Sequence, residues 1–157
     1  MISCSFEEGQ KASLRHAVVD VLVIKDERLL LVKRTAKLLE GGKWALVGGF
    51  AERDEDIRQA AEREIFEETG WKVKDLHLLL INSRPDRPHE DRQNISFVFV
   101  ATATEKTGEP DWESDDVQWF SFSKLPPAAA IAFDHLDYIS FTAKRSPKQW
   151  HYRCCYE

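Results

Sequence analysis

The chain has 157 residues, room for one domain with a proper core but not for two ordinary ones, and its 43% hydrophobic and 31% charged content is that of a soluble globular protein. Its longest nearly apolar stretch, residues 17–24, is interrupted by Asp20 and falls far short of a membrane span. A net charge of −5 without any Lys/Arg-rich run argues against a nucleic-acid groove or an anionic membrane as the main partner.

In chain order, residues 1–13 read as a loose polar lead. The first eight lack the basic and apolar regions of a signal peptide, which places the expected location in the cytoplasm. Residues 17–24 predict a long strand, Asp26-Glu27 a turn, and residues 29–32 a second strand. A loop over 37–43 leads to a short strand at 44–47 that ends in Gly48-Gly49. A helix follows over 54–69, with Asp54 as its N-cap and Gly70 where helices turn left-handed and stop. Three further strands are predicted at 73–81, 95–104 and 117–122. A Pro- and charge-rich loop, 82–94, separates the first two, and an acidic loop, 105–116, the last two. After Pro126-Pro127, residues 128–144 contain a second helix, and 145–157 form a tail. Its adjacent Cys154 and Cys155 strain any mutual bond, so ordinary reduced thiols are expected. Interleaved strands and helices suggest a single α/β domain over 1–157, a mixed sheet with a helix on each side.

The helix at 54–69 carries the chemistry. At 100° per residue Ile57, Ala60, Ala61 and Ile65 share one side, as an inward face should. Glu64 and Glu68 fall in the same arc and Glu67 at its edge. The like-charge pairs Glu64/Glu67 and Glu64/Glu68 each cost an isolated helix roughly 0.2–0.5 kcal/mol. Desolvating them costs several kcal/mol more unless a cation compensates. Hard oxygen ligands in this number suit Mg²⁺ or Mn²⁺, and the cluster is expected to lack an internal counter-charge. The bland alternative is a solvated acidic helix in which Arg58 and Arg63 neutralise their neighbours, Arg63 to Glu67 being a plausible i,i+4 pair.

The surroundings decide between these. Gly49, Glu55, Arg63, Glu64, Ile65, Glu67, Glu68 and Gly70 stand at every spacing of the pattern G-x5-E-x7-R-E-U-x-E-E-x-G-U, U being aliphatic. In this stretch, residues 49–71, the chain resembles the Nudix hydrolases. Trp71, in the final aliphatic slot, is the one departure, at a packing position. The resemblance implies a Nudix-type α/β/α sandwich with a mixed β-sheet, Mg²⁺ or Mn²⁺ as cofactor, and hydrolysis of a nucleoside diphosphate linked to another group. It implies Glu64, Glu67 and Glu68 as metal ligands with the Gly48 carbonyl, and Glu64 as one candidate general base. Arg63 and Glu55 are implied to form a salt bridge that orients the loop. Glu64, Glu67 and Arg63 thus make up the expected catalytic set. Some members take a further acid from outside the motif. Glu113 is the first candidate, then Asp115 and Asp116, against a plain solvated turn.

Looser markers resemble the ADP-ribose pyrophosphatase branch: residues 82–87 with Pro85, 95–99, 115–120, and Ala132-Phe133-Asp134-His135. They imply ADP-ribose or a related dinucleotide or nucleotide sugar, giving AMP and a sugar phosphate. Among substrate-binding candidates, Arg84 and Arg87, with Arg92, could clamp a diphosphate or simply balance Asp86, Glu90 and Asp91. Arg34 is a second phosphate candidate. Trp44 could stack on a base or belong to the core, and Phe133 and His135 could line the ribose side or pack the last helix. The expected partner is a small nucleotide, without nucleic acid or membrane, in an assembly state left open that allows a homodimer. Two rivals stand beside this. One is a house-cleaning (d)NTP pyrophosphohydrolase. The other is a non-catalytic nucleotide sensor, disfavoured because every motif carboxylate is present and too few residues follow Lys144 for a winged helix.

Overall fold

The computed structural model describes residues 2–87 and 92–144. Cys154, Cys155, Glu90 and Asp91, named above, lie outside the described residues. The strands are β1 (Ile2–Ser5), β2 (Lys11–Leu14), β3 (Ala17–Lys25), β4 (Arg28–Arg34), β5 (Trp44–Ala45), β6 (Trp71–Asn82), β7 (Ile95–Lys106) and β8 (Ser114–Ser121). The helices are α1 (Ile57–Thr69) and α2 (His135–Ala143), the latter preceded by a 3₁₀ turn at Ala128–Ala130.

The main sheet is mixed, with the order β5-β4-β3-β7-β6 and β8 on the other side of β4. Parallel pairing of β3 with β7 runs from Ala17↔Ile95 to Ile24↔Thr102, and the neighbouring pairs are antiparallel. Side-chain alternation along a strand then builds two cores. Val19, Val21 and Val23 of β3, Leu30 and Val32 of β4, and Phe99, Ala101 and Ala103 of β7 meet Ala60, Ala61 and Ile65 of α1. Leu22, Leu29, Leu31, Val98 and Val100 face the other way, onto Tyr138 and Ile139 of α2. A helix therefore covers each face, giving the expected α/β/α sandwich.

Strand β4 pairs with β3 only beside their hairpin, at Ile24↔Leu29 and Lys25↔Arg28. Farther along, β3 finds partners in the segment that leads to α1. The Val21 and Val19 amides donate to the Val47 and Gly49 carbonyls, and the Ala51 amide to that of Ala17. The motif loop is thus laid against the central strand of the sheet.

Two expectations need correction. Residues 1–13 are not a loose lead, because β1 and β2 pair in register from Ile2↔Leu14 to Ser5↔Lys11 as a separate two-stranded sheet. Nor is Asp54 the N-cap. Asp56 accepts from the Arg58 and Gln59 amides at 2.8 and 2.9 Å, and the Gln59 side chain accepts from the Asp56 amide at 2.8 Å. This reciprocal box needs Gln at the third helical position, which only Asp56 has. Asp54 is exposed, with φ of 70°. Gly70 ends α1 in the left-handed conformation, as expected. Among the described residues no helix is long and apolar enough to cross a membrane.

Candidate active site

Arg63 organises the motif. Its Nε and Nη2 donate to Glu55 at 3.0 and 2.8 Å, Nη2 also to the Phe50 carbonyl at 3.0 Å, and Nη1 to Glu64 and Glu67 at 2.9 Å each. One planar guanidinium so ties the loop to α1, a task its fixed donor fork suits. The expected Arg63–Glu55 and Arg63–Glu67 pairs are both present. The expectation that the glutamates lack any internal counter-charge is corrected, since Arg63 supplies one to Glu64 and Glu67.

That charge does not reach everywhere. Glu68 is buried and accepts from the Gly48 amide at 3.0 Å. Burial drives its carboxyl well above the usual range, and the neighbouring Glu64 adds to the rise. Burial likewise lifts Glu64, to about 7, although the Arg63 bonds pull the other way. The two glycines before the loop permit this crowding. A Cβ on Gly48 would strike the Val19 carbonyl, and one on Gly49 would strike the Glu64 carboxylate.

The acidic loop is no free turn. The Thr107 and Gly108 amides donate to the Gly70 carbonyl, the Asp111 amide to that of Glu67, and the Thr35 amide to that of Glu113. These bonds dock it on the C-terminal end of α1 and bring Asp111 and Glu113 to a cavity of about 450 Å³, which Glu64, Glu67, Arg63, Gly48 and Arg34 also line. Asp115 and Asp116 are not among the lining residues. Asp111, which sequence reasoning missed, sits two residues before Glu113 and accepts from its amide at 2.9 Å.

The donor set fits a divalent cation. Glu64, Glu67, Glu68 and Glu113 offer carboxylate oxygens, and burial penalises the charge of Glu64 and Glu68. The Val47 and Gly49 carbonyls are taken by β3, which leaves the Gly48 carbonyl outside those bonds. Among the described residues, however, no three such side chains already converge as a cage. Arg63 holds Glu64 and Glu67 to itself, and Glu68 is turned to the Gly48 amide.

On the opposite wall lie Asp20, Phe133, His135 and Arg87. Asp20 is buried in β3, accepts from the Ser96 hydroxyl, and has His135 Nε2 3.2 Å from Oδ1. His135 Nδ1 accepts from the Leu46 amide at 2.9 Å. Arg34 reaches between the two walls, its guanidinium carbon 5.2 Å from the Phe133 ring centre and its Nε bonded to the Leu39 carbonyl. Desolvation lowers its affinity for the proton, while Glu68, Glu113 and Asp20 oppose that.

The remaining binding candidates are dispersed. Arg87 lines the cavity, but its guanidinium is held by the Asp134 carboxylate in a buried bidentate pair at 3.0 and 2.7 Å. Arg84 is exposed, paired with Asp86 at 3.2 Å, and is not a lining residue. The proposed Arg84/Arg87 clamp is therefore not formed: each guanidinium answers a different carboxylate. Trp44 packs edge-on against Phe120, ring centres 4.9 Å apart, in the α2-side core and away from the cavity lining. Phe50 and Arg92 do line the cavity, with the Arg92 guanidinium 5.6 Å from the Phe50 ring centre.

The NUDIX domain family matches residues 14–140. The chain belongs to that family. It is 36% identical over 117 residues to an ADP-ribose pyrophosphatase of Methanocaldococcus jannaschii, covering 74% of this chain and 66% of the relative. It is 34% identical over 128 residues to an oxidized purine nucleoside triphosphate hydrolase of Danio rerio, covering 74% and 72%. With the NAD-capped RNA hydrolase NudC of Haemophilus influenzae it shares 35% over 96 residues, 59% of this chain but only 35% of that protein. Among solved structures, a NUDIX hydrolase from Nitrosomonas europaea superposes with a TM-score of 0.73 and 26% identity, covering 93% of this chain and 81% of that one. A bifunctional NMN adenylyltransferase/ADP ribose pyrophosphatase from Francisella tularensis, complexed with AMP and a manganese ion, gives 0.66 and 28%, covering 85% and 42%.

Proposed function

We propose that this Nudix enzyme hydrolyses the phosphoanhydride bond of a nucleoside diphosphate linked to a further group, with ADP-ribose or a related dinucleotide or nucleotide sugar as substrate and AMP plus a sugar phosphate as products. The observation that carries the reading is that Glu64, Glu67, Glu113, Arg34 and Gly48 line one cavity, with Glu68 buried behind it and bonded to the Gly48 amide. The similarity to the archaeal ADP-ribose pyrophosphatase supports the choice of substrate. Glu64, Glu67 and Glu68, with the Gly48 carbonyl and Glu113, would hold Mg²⁺ or Mn²⁺. When bound, such ions polarise phosphoryl oxygens, neutralise the leaving phosphate and acidify water. Glu64, which lines the cavity and is held by Arg63, would be the group that receives a proton from the attacking water. Arg63 keeps Glu64 and Glu67 in place, and Arg34 is positioned to meet the diphosphate. A small nucleotide is the favoured partner over capped RNA, because the lining arginines 34, 63, 87 and 92 are outnumbered by acids 20, 52, 64, 67, 111 and 113.

A second reading, nucleoside triphosphate hydrolysis, is favoured by the zebrafish relative, of which the chain covers more than of the archaeal one. Product analysis with Mg²⁺ separates the two. Release of AMP and ribose phosphate from ADP-ribose is expected, faster than a monophosphate and pyrophosphate from any triphosphate. Preference for a triphosphate overturns the substrate assignment, and undiminished turnover in excess chelator overturns the metal site.

A further inference from the structure

We infer that Asp20 is a specificity-determining residue, whose carboxylate accepts a hydrogen bond from a neutral donor on the substrate. The inference rests on the proposed substrate class and names the chemistry by which the wall opposite the motif reads it. The donor is either a hydroxyl of the terminal sugar or an exocyclic amine of the base.

A carboxylate in the middle of a central strand is costly unless it is bonded, and a fold needing only packing there would place Val or Leu. Asp20 is instead fitted with partners. Ser96 of β7, on the parallel neighbour strand, donates its hydroxyl to Oδ2. His135, at the start of α2, takes the Leu46 amide on Nδ1, so its Nε2 carries the proton and points that proton at Oδ1. The imidazole is thereby used on both nitrogens and acts as a positioning residue. The nearby Arg87 is occupied bidentately by Asp134, which also meets Asn82 and Tyr138. Burial opposes ionisation of Asp20, yet His135, Ser96 and Arg87 together hold its carboxyl below the usual range.

With the Ser96 hydroxyl donating to Oδ2 and the His135 Nε2 facing Oδ1, the carboxylate is placed as an acceptor. Two ionised oxygens offer about four lone-pair sites, and Ser96 and His135 use two. Asp20 lines the cavity, so the remaining capacity is available to whatever enters. A phosphate oxygen would be repelled there, whereas a hydroxyl or amine would gain a charge-assisted bond. Arg34, between this wall and the glutamates, keeps the diphosphate at the motif side and leaves the neutral end of the substrate for Asp20.

The test compares native enzyme and Asp20→Asn, both with Mg²⁺, on three substrates. These are ADP-ribose, inosine diphosphate ribose (which lacks the exocyclic amine) and the β-methyl ester of ADP (which lacks the terminal sugar). The amide retains an acceptor for His135 and can donate to the Ser96 oxygen. In the variant, KM for ADP-ribose should rise about 10-fold or more with kcat within a few-fold. If sugar hydroxyls are read, the inosine compound suffers equally and the methyl ester is spared. If the amine is read, the methyl ester suffers and the inosine compound is spared. An equal loss on all three, or none, overturns the inference and leaves the proposed function intact. Absence of ADP-ribose turnover by the native enzyme overturns the proposed function and this inference with it. Should Asp20→Asn fail to fold, the native enzyme alone decides. One analogue must fall about 10-fold or more in kcat/KM below ADP-ribose, and equal use of all three overturns the inference.

Discussion

Glu64 and Asp20 line the same cavity, and burial works against the ionised form of both, yet they lie on opposite sides of the ordinary carboxylate range. Asp20 has Ser96, His135 and the field of Arg87 around it. Glu64 has Arg63, but must share it with Glu55 and Glu67 while Glu67 and Glu113 repel it. Desolvation alone does not set the outcome; the count of donors per carboxylate does. One wall carries a carboxylate already held in its ionised form by neighbouring donors and is suited to steady recognition. The other carries charge that its own residues do not fully answer, which is the condition for taking up a cation and exchanging protons.

The sharpest way to break this contrast is to remove charge from the motif wall. Glu64→Gln and Glu68→Gln should each lower kcat by about 10³ or more, roughly 4 kcal/mol of barrier. Both proteins should fold, because an isosteric amide relieves repulsion. Steady-state kinetics alongside a thermal melt checks this. Near-native kcat in either variant would remove that residue from the catalytic set.

On the opposite wall the expected loss is of stability. Arg87→Ala leaves the buried Asp134 carboxylate without its bidentate partner and should cost about 3 kcal/mol or more in a urea titration. Arg84→Ala removes an exposed pair with Asp86 and should leave both the urea midpoint and KM unchanged. Equal effects of the two would mean that the Asp134 pair contributes nothing distinctive.

The pH dependence separates the walls again. A carboxyl whose pKa rises on folding, from 4.5 to about 7 for Glu64, holds its proton more tightly in the folded chain. Stability from that group is complete below pH 4.5 and is lost as the pH climbs to 7. In protein stripped of divalent ions the loss should be about 2 kcal/mol, after allowance for screening at a partly open site. Mg²⁺ should flatten the slope. Asp20 has the reverse sign: its pKa is lowered, so its contribution is complete above the ordinary carboxylate range and disappears in acid. Denaturant melts from about pH 2 to 8, with and without Mg²⁺, check both, the acid end for Asp20 and the range above pH 4.5 for Glu64, and a metal-independent slope in the upper range would remove the cation from the account.

The two walls were unequally legible in the sequence. The motif wall is local: Glu55, Arg63, Glu64, Glu67 and Glu68 lie within one loop and helix, so spacing alone sets the Arg63 bonds. The sandwich was legible for a similar reason, since Val19, Val21 and Val23 alternate with Leu22 along β3. The opposite wall is assembled from β3, β7, the 44–47 segment and α2, and its sequence traces were separate ones, a carboxylate interrupting an apolar run and the Phe133–His135 segment, with nothing local to join them. Arg87 was misread because the carboxylate that grips it, Asp134, lies far away in sequence. Trp44 was legible only as one of two alternatives, and the Phe120 contact assigns it to the core. The β1–β2 hairpin escaped because its strands are short and largely exposed, so burial imposes no strong alternation on them.

The smallest effect asks what fixes the motif wall in place: the helix cap or the Arg63 hub. The Asp56–Gln59 box satisfies amides at the start of α1, about two turns before Glu64, and it is exposed. Asp56→Ala should therefore cost about 1 kcal/mol of stability, the usual value of a lost N-cap. Asp54→Ala, a candidate cap by sequence but uninvolved in the box, should cost only a few tenths of that. Neither should alter kcat, because Arg63 fastens Glu55, Glu64 and Glu67 together independently of the first turn. Chemical denaturation and kcat measured on the same preparations give the answer. A fall in kcat with Asp56→Ala would show that the helix start, and not the guanidinium, holds the glutamates in register.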